Sequence, residues 1–194
     1  MFLSFLTCKS PQGSSPQTNS PAPLPVLGYA PTHFTLLNQD SIPVTRGLFD
    51  GKVWVVDFFF TSCPTICPRM SAQMARLRDT FAREPNFLLL SHTIDPDHDS
   101  PSVLRSYVDH LGGDGQGKWH LVTGPRDTIY ALADIYALRV ARDAGAPGGI
   151  VHSGSLVLMD PQGRIRGYYD GTQEEDTDRL IKDIRRLLNE STLP

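Results

Sequence analysis

Two cysteines four residues apart, Cys63 and Cys67, carry the clearest chemical potential in the chain. They lie in Thr61-Ser62-Cys63-Pro64-Thr65-Ile66-Cys67-Pro68, behind the apolar run Val53-Trp54-Val55-Val56-Asp57-Phe58-Phe59-Phe60 and ahead of Arg69-Met70-Ser71-Ala72-Gln73-Met74. A β-branched and aromatic run of this kind reads as a strand buried on both faces, and the segment after the cysteines reads as a helix. The pair therefore stands where a strand turns into a helix. Unpaired N–H groups and the positive end of the helix dipole favour thiolate there and lower the thiol pKa. Pro64 suits a first helical position, and Pro68 is still early enough to be tolerated. If the segment is helical, residues four apart share a face, and at a Cα separation of about 6 Å the two sulfurs could close a disulfide or grip one soft metal ion.

The elements that must position this pair can be read in order. His33 to Leu37 and Ile42 to Thr45 flank the turn cluster Asn38-Gln39-Asp40-Ser41 and predict a small N-terminal edge hairpin. After the turn at Asp50-Gly51 comes the central strand. The helix behind the cysteines carries Met70, Met74, Leu77 and Phe81 and ends before Pro85. Asn86 to Ile94 is a second buried strand, which stops at the acidic loop Asp95-Pro96-Asp97-His98-Asp99-Ser100-Pro101. Ser100 can cap a helix starting at Pro101, with Gly112-Gly113 ending it. A short strand, Trp119 to Val122, and a helix through Ile129, Leu132 and Tyr136 follow. Beyond the Gly/Pro-rich loop Ala144 to Gly149 come Ile150-Val151-His152-Ser153, a hairpin turning at Asp160-Pro161-Gln162-Gly163, and an amphipathic helix through Leu180, Ile184 and Leu187.

Composition fits one domain with a sizeable core: 194 residues, 40% apolar and 20% charged. A net charge of -3, with no lysine or arginine cluster, removes nucleic acid as a partner. Residues 1–25 differ from 26–194. A short apolar stub ends at Cys8, and from Lys9 to Pro25 the chain is almost all Ser, Pro, Gln, Thr and Asn, the composition of a tether. The stub is too short to span a membrane. It resembles the end of a bacterial lipoprotein signal, whose cysteine becomes the lipidated first residue, although Phe5 and Thr7 depart from the usual residues there; the alternative is an unstructured terminus with a spare thiol.

Strands alternating with helices, then a hairpin and a last helix, give an α/β fold with a mixed sheet flanked by helices, an order that resembles the thioredoxin-like one. Three motifs in sequence, Phe60 to Pro68, the Asp95 to Pro101 loop and Val151-His152-Ser153, closely resemble the Sco/SenC family, thioredoxin-like copper proteins of cytochrome c oxidase assembly. The resemblance covers residues 30–190 and implies copper, Cu(I) or Cu(II), bound by Cys63, Cys67 and His152 with the acidic loop nearby. Softness agrees, since two thiolates and an imidazole suit copper, whereas structural zinc wants four closed ligands. His152 also stands where thioredoxin-like enzymes usually place an X-Pro facing the cysteines.

Other residues read more simply. Asp95, Asp97 and Asp99 lack the glycine and closing glutamate of a calcium loop and read as a cap and turn, with Asp95 or Asp99 behind the metal ligands. His33, His92, His98 and His120 read as surface or satisfied core residues, Met70 and Met74 as core.

Two functions follow from the resemblance. One is a copper metallochaperone that matures the copper-site subunit of a membrane-bound oxidase. The other is a thiol-disulfide oxidoreductase cycling Cys63 and Cys67 to reduce a client's cysteines, itself served by a thioredoxin-like reductant. A peroxiredoxin-type peroxidase would need Pro and Thr where Val56 and Phe60 stand. A redox-active dithiol behind a tether places the domain in the cell envelope, on the extracytoplasmic face of a membrane and anchored there by the N-terminus, with Cys8 the lipid attachment point.

Overall fold

A computed structural model of the chain describes residues 22–143, 145 and 150–190. Its centre is an eight-stranded mixed sheet in the order β1-β10-β9-β4-β5-β6-β2-β3. Strands β4 (Val53–Phe59), β5 (Phe87–Thr93) and β6 (Trp119–Thr123) run parallel, and every residue of β4 and β5 is buried. That burial on both faces is why these strands are continuous hydrophobic runs. Antiparallel strands flank them: β9 (Ser155–Met159) and β10 (Arg164–Asp170) on one side, β2 (Thr35–Asn38) and β3 (Pro43–Thr45) on the other. The edge hairpin read from the sequence is the β2–β3 pair. Its outermost strand is three residues long and begins with proline, which blunts the edge.

Four helices complete the sandwich: α1 (Cys67–Thr80), α2 (Pro101–His110), α3 (Arg126–Ile135) and α4 (Glu174–Glu190). Helix α2 is capped by Ser100, whose hydroxyl accepts the Val103 N–H, and Pro101 opens it. Met70 and Met74 of α1 are fully buried, so their spacing serves packing. The α/β mixed sheet is the fold expected.

Two short strands were not legible in the sequence. Strand β1 (Gly28–Tyr29) pairs with the start of β10. Strand β7 (Val140–Arg142) pairs antiparallel with β8 (Ile150–His152) in a separate two-stranded ribbon.

The sheet has two distinct ends. Because β9 runs antiparallel to β4, with Trp54 opposite Met159 and Val56 opposite Val157, the exit of β4 lies beside the entry of β9. The cysteines leave β4 at that end, the 95–99 loop leaves β5 there, and His152 enters β9 there. The amino-terminal strand β1 joins the opposite end, at Arg164 and Ile165. Sites at the carboxyl ends of parallel strands, where the chain departs to either side, are the usual crevices of open α/β sheets.

Candidate metal centre

The cysteine segment departs from the expected helix in a useful way. Residues 61–66 form turns, and α1 begins at Cys67, with Ile66 as its N-cap and proline in its first turn. Thus Pro68, and not Pro64, takes the first-turn place where no N–H is needed. The Cys63 N–H bonds the Phe60 carbonyl at 3.2 Å, and the Arg69 and Met70 N–H groups both reach the Ile66 carbonyl at 3.1 Å. The two sulfurs meet because the chain folds back between them, not because they share a helix face. Both thiols are free.

His152 arrives from the other side. Ribbon β7–β8 sets Val140 opposite it, and the Ser153 N–H bonds the Arg139 carbonyl at 3.1 Å, so the imidazole is aimed by a strand pairing. Its Nε2 lies 3.2 Å from Cys67 Sγ, and its Nδ1 lies 3.1 Å from the Ser153 carbonyl oxygen. A carbonyl only accepts, so Nδ1 carries the proton and Nε2 presents its lone pair to the thiol. One donor atom from each of Cys63, Cys67 and His152 lies within 4.8 Å of the others, and all three residues are buried. Phe60 meets the imidazole edge to face, with centroids 5.9 Å apart.

The two thiols differ. Burial opposes ionisation of Cys63, but the Thr65 backbone, the Cys67 thiol and amide, and the Thr65 hydroxyl outweigh it, and its pKa falls below that of an ordinary cysteine. At Cys67 burial wins. Helped by the nearby Cys63 and Asp57, it pushes the thiol far up despite the position at a helix start. Helix placement therefore does not activate both thiols as expected: at Cys67, on the helix start, desolvation exceeds the helix field, and Cys63, in the turn before it, is lowered by hydrogen bonds from Thr65 and Cys67. Burial also holds His152 below its usual range, keeping the ring neutral as a ligand must be. In the reduced protein at pH 7, iodoacetamide should attach first to Cys63 and much more slowly to Cys67, as read by peptide mass spectrometry against time. Cys67 labelling first would overturn this assignment.

Of the acidic loop, Asp99 is the residue that holds the cysteine turn. Fully buried, it accepts the Thr61 N–H at 3.1 Å and, at 2.5 Å each, the hydroxyls of Thr61 and Thr93; His98 Nδ1 lies 2.9 Å from it. It thereby ties the turn that presents Cys63 to the end of β5. Asp97 instead pairs with Arg126 on the surface, and the backbone carbonyl of Asp95 caps the loop by accepting the His98 and Asp99 N–H groups. Beneath the cysteines, Asp57 is buried on β4 and receives the Ser91 hydroxyl, which in turn accepts the Trp119 indole N–H at 2.8 Å. Burial pushes this carboxyl up to about 7. Asp57 was visible in the strand only as a polar interruption.

The remaining histidines stay outside the cluster. His92 is fully buried, stacked on Phe58 at 4.6 Å, and burial pushes it down to about 3. His98 is exposed beside Asp99, His120 packs edge-on to Phe49, and His33 is exposed. Cys8 lies outside the described residues.

The SCO1/SenC family model matches residues 29–189, nearly the whole folded part of the chain. The chain belongs to the SCO1/SenC family. Solved structures agree. A SCO1/SenC family lipoprotein from Bacillus anthracis is 31% identical with a TM-score of 0.77, covering 86% of this chain and 99% of its own. BsSco, a Sco family cytochrome c oxidase assembly protein with an identified disulfide switch, is 28% identical with a TM-score of 0.75, covering 89% and 99%. Arabidopsis thaliana ScoI with copper bound is 25% identical with a TM-score of 0.66, covering 79% and 97%. These Sco neighbours share the thioredoxin-like architecture, so the fold expected from the sequence and the family resemblance both stand.

Proposed function

We propose that this chain binds copper through Cys63, Cys67 and His152 and serves maturation of the copper site of cytochrome c oxidase, passing the metal to the copper-bearing subunit of that membrane enzyme. The observation that carries the reading is the convergence of two thiols and a neutral imidazole within 4.8 Å, from two separate segments. Such a set suits Cu(I), which takes few soft ligands, and the imidazole makes it serviceable for Cu(II). The copper-bound Arabidopsis relative supports the choice of metal, and the assembly role of BsSco supports the destination. Loading must release the thiol protons. Cys67, kept protonated by burial, then yields its proton as the metal arrives.

The Bacillus anthracis lipoprotein supports a place in the cell envelope. We place the domain of residues 26–194 on the extracytoplasmic face, with residues 1–25 as a tether held by lipid on Cys8. No helix among the described residues is long and apolar enough to cross a membrane.

The test is metal analysis of the anaerobically reduced full chain, paired with oxidase activity in cells lacking the protein. Stoichiometric copper that protects both thiols from alkylation, and oxidase activity restored by wild type but not by Cys63→Ser, is expected. Zinc in its place, or no bound metal, would overturn the reading.

One observation favours a second role. A low-pKa Cys63 beside a high-pKa Cys67 is the asymmetry that disulfide exchange uses, and the switch in BsSco points the same way. The Cys63 thiolate would attack a client disulfide and release one client thiol. Cys67, losing its proton, would then attack Cys63, release the second and leave a Cys63–Cys67 disulfide for a thioredoxin-like reductant to reopen.

A further inference from the structure

A groove of about 370 Å³ opens beside the centre, with Ile66, Gly154, Tyr168, Asp170 and Thr172 in its lining. Ile66 directly precedes Cys67, and Gly154 follows His152 by two residues, so the groove abuts both segments that build the cluster. Its openness depends on Gly154. A Cβ there would stand 3.2 Å from Thr172 Cγ2, 3.7 Å from Asp170 Oδ1 and 3.9 Å from Ile66 Cδ1. Ile66, Tyr168 and Tyr169 are its apolar lining residues, and Asp170 is the one charged residue in its lining among the described residues. Asp170 Oδ1 accepts the Thr172 N–H at 2.9 Å and hydroxyl at 2.6 Å, which fixes the carboxylate at the rim. No cation pairs with it among the described residues. Asp176 and Asp178 are matched by Arg179 and Arg76, whereas Asp170, Glu174 and Glu175 have no ion-pair partner among the described residues.

We propose that this groove receives the client protein, and that its occupant is a loop carrying an apolar side chain next to a lysine or arginine. The apolar group lies on Ile66 and Tyr168, and the cation meets Asp170. This deepens the proposed function and rests on it for the client's identity. Direct handover explains the position: Cys63 and His152 are each only 8% exposed, so an acceptor's ligands must enter the centre itself, and the chain flanking them must lie on the surface next to it. An acidic rim also draws a cationic partner while opposing an acidic one.

The test is backbone-amide NMR of the copper-free, reduced full chain titrated with two synthetic hexapeptides, alternating leucine with lysine and alternating leucine with glutamate. The lysine peptide should shift the amides of Ile66, Gly154, Asp170 and Thr172; the glutamate peptide should not. Asp170→Asn should weaken the lysine peptide by about two- to fivefold, the range of an exposed ion pair, and leave copper retention unchanged. Gly154→Leu, which fills the groove, should weaken it at least about tenfold, the effect of one displaced, well-packed side chain. Equal shifts from both peptides, shifts confined to other surfaces, or affinity untouched by both variants would overturn the proposal. If the wild-type chain binds no copper, the copper reading falls, yet this titration still decides the groove.

Discussion

His152→Ala is expected to lose Cu(II) while keeping a working dithiol. The ring is the one nitrogen donor of the proposed ligand set, held neutral by burial and fixed in tautomer by the Ser153 carbonyl, with Nε2 3.2 Å from Cys67 Sγ. Even groups behind a metal ligand change affinity by about 10–100-fold when removed, so loss of the ligand should exceed that range for Cu(II). Cu(I) retention should fall less, because two thiolates remain. Among the described residues no other imidazole lies with the two cysteines. His92 is locked against Phe58, and His98 is engaged by Asp99. A Cys63–Cys67 disulfide would not use the ring as a ligand, so a dithiol that cycles in the wild type should still cycle in the mutant. Measuring Cu(II) affinity beside oxidase activity separates the two roles. Delivery as the main task predicts redox-active protein with failed oxidase assembly, and reduction as the main task predicts surviving assembly. Unchanged Cu(II) affinity would remove His152 from the ligand set.

The second large effect is on stability. Asp57 has its carboxyl pushed up from 3.8 to about 7 by burial, against the opposing Ser91 hydroxyl. The folded protein therefore holds this proton more tightly than the unfolded chain. That contribution is complete below about pH 4, fades as pH rises through the window from about 4 to 7, and leaves a buried charge above it. Three pH units correspond to roughly 4 kcal/mol, an upper bound on the cost at pH 8. Asparagine keeps an oxygen for the Ser91 hydroxyl and carries no charge. Asp57→Asn should thus resist urea better than wild type at pH 8, by up to roughly 4 kcal/mol, with the advantage nearly gone at pH 4. A difference that does not change between those two pH values would refute the buried-charge account. Retaining so costly a group fits its place under Cys67, whose thiol its negative charge helps keep protonated.

Much of this was legible because the informative signals are local. β4 and β5 announce themselves as unbroken apolar runs, Ser100-Pro101 spells a helix start, and Cys63, Cys67 and His152 fall in motifs that a family resemblance could join. What escaped was set by packing across the chain. Strand β7 is three residues long, and it is a strand because β8, beyond a Gly/Pro-rich stretch of sequence, lies alongside it; nothing in Val140-Ala141-Arg142 says so. The unequal thiols escaped for a similar reason. Position at a helix start can be read from spacing, but the depth to which Cys67 sinks depends on how α1 settles on the sheet. Asp99 looked like one of three equivalent carboxylates until the fold brought Thr61 and Thr93 to it.

The placement of β1 has a geometric consequence. The described chain enters the sheet beside Arg164 and Ile165, and the thiols leave from the far end of β4, a strand of seven residues. At about 3.3 Å per residue that strand alone separates the two poles by roughly 20 Å. The first described residues are pinned at that back pole, where Arg166 donates to the Leu24 and Pro25 carbonyls and Arg186 to that of Ala22, and the Cys63–Cys67–His152 cluster and its groove face the other way. A partner engaging the cluster therefore meets neither β1 nor the residues that lead into it.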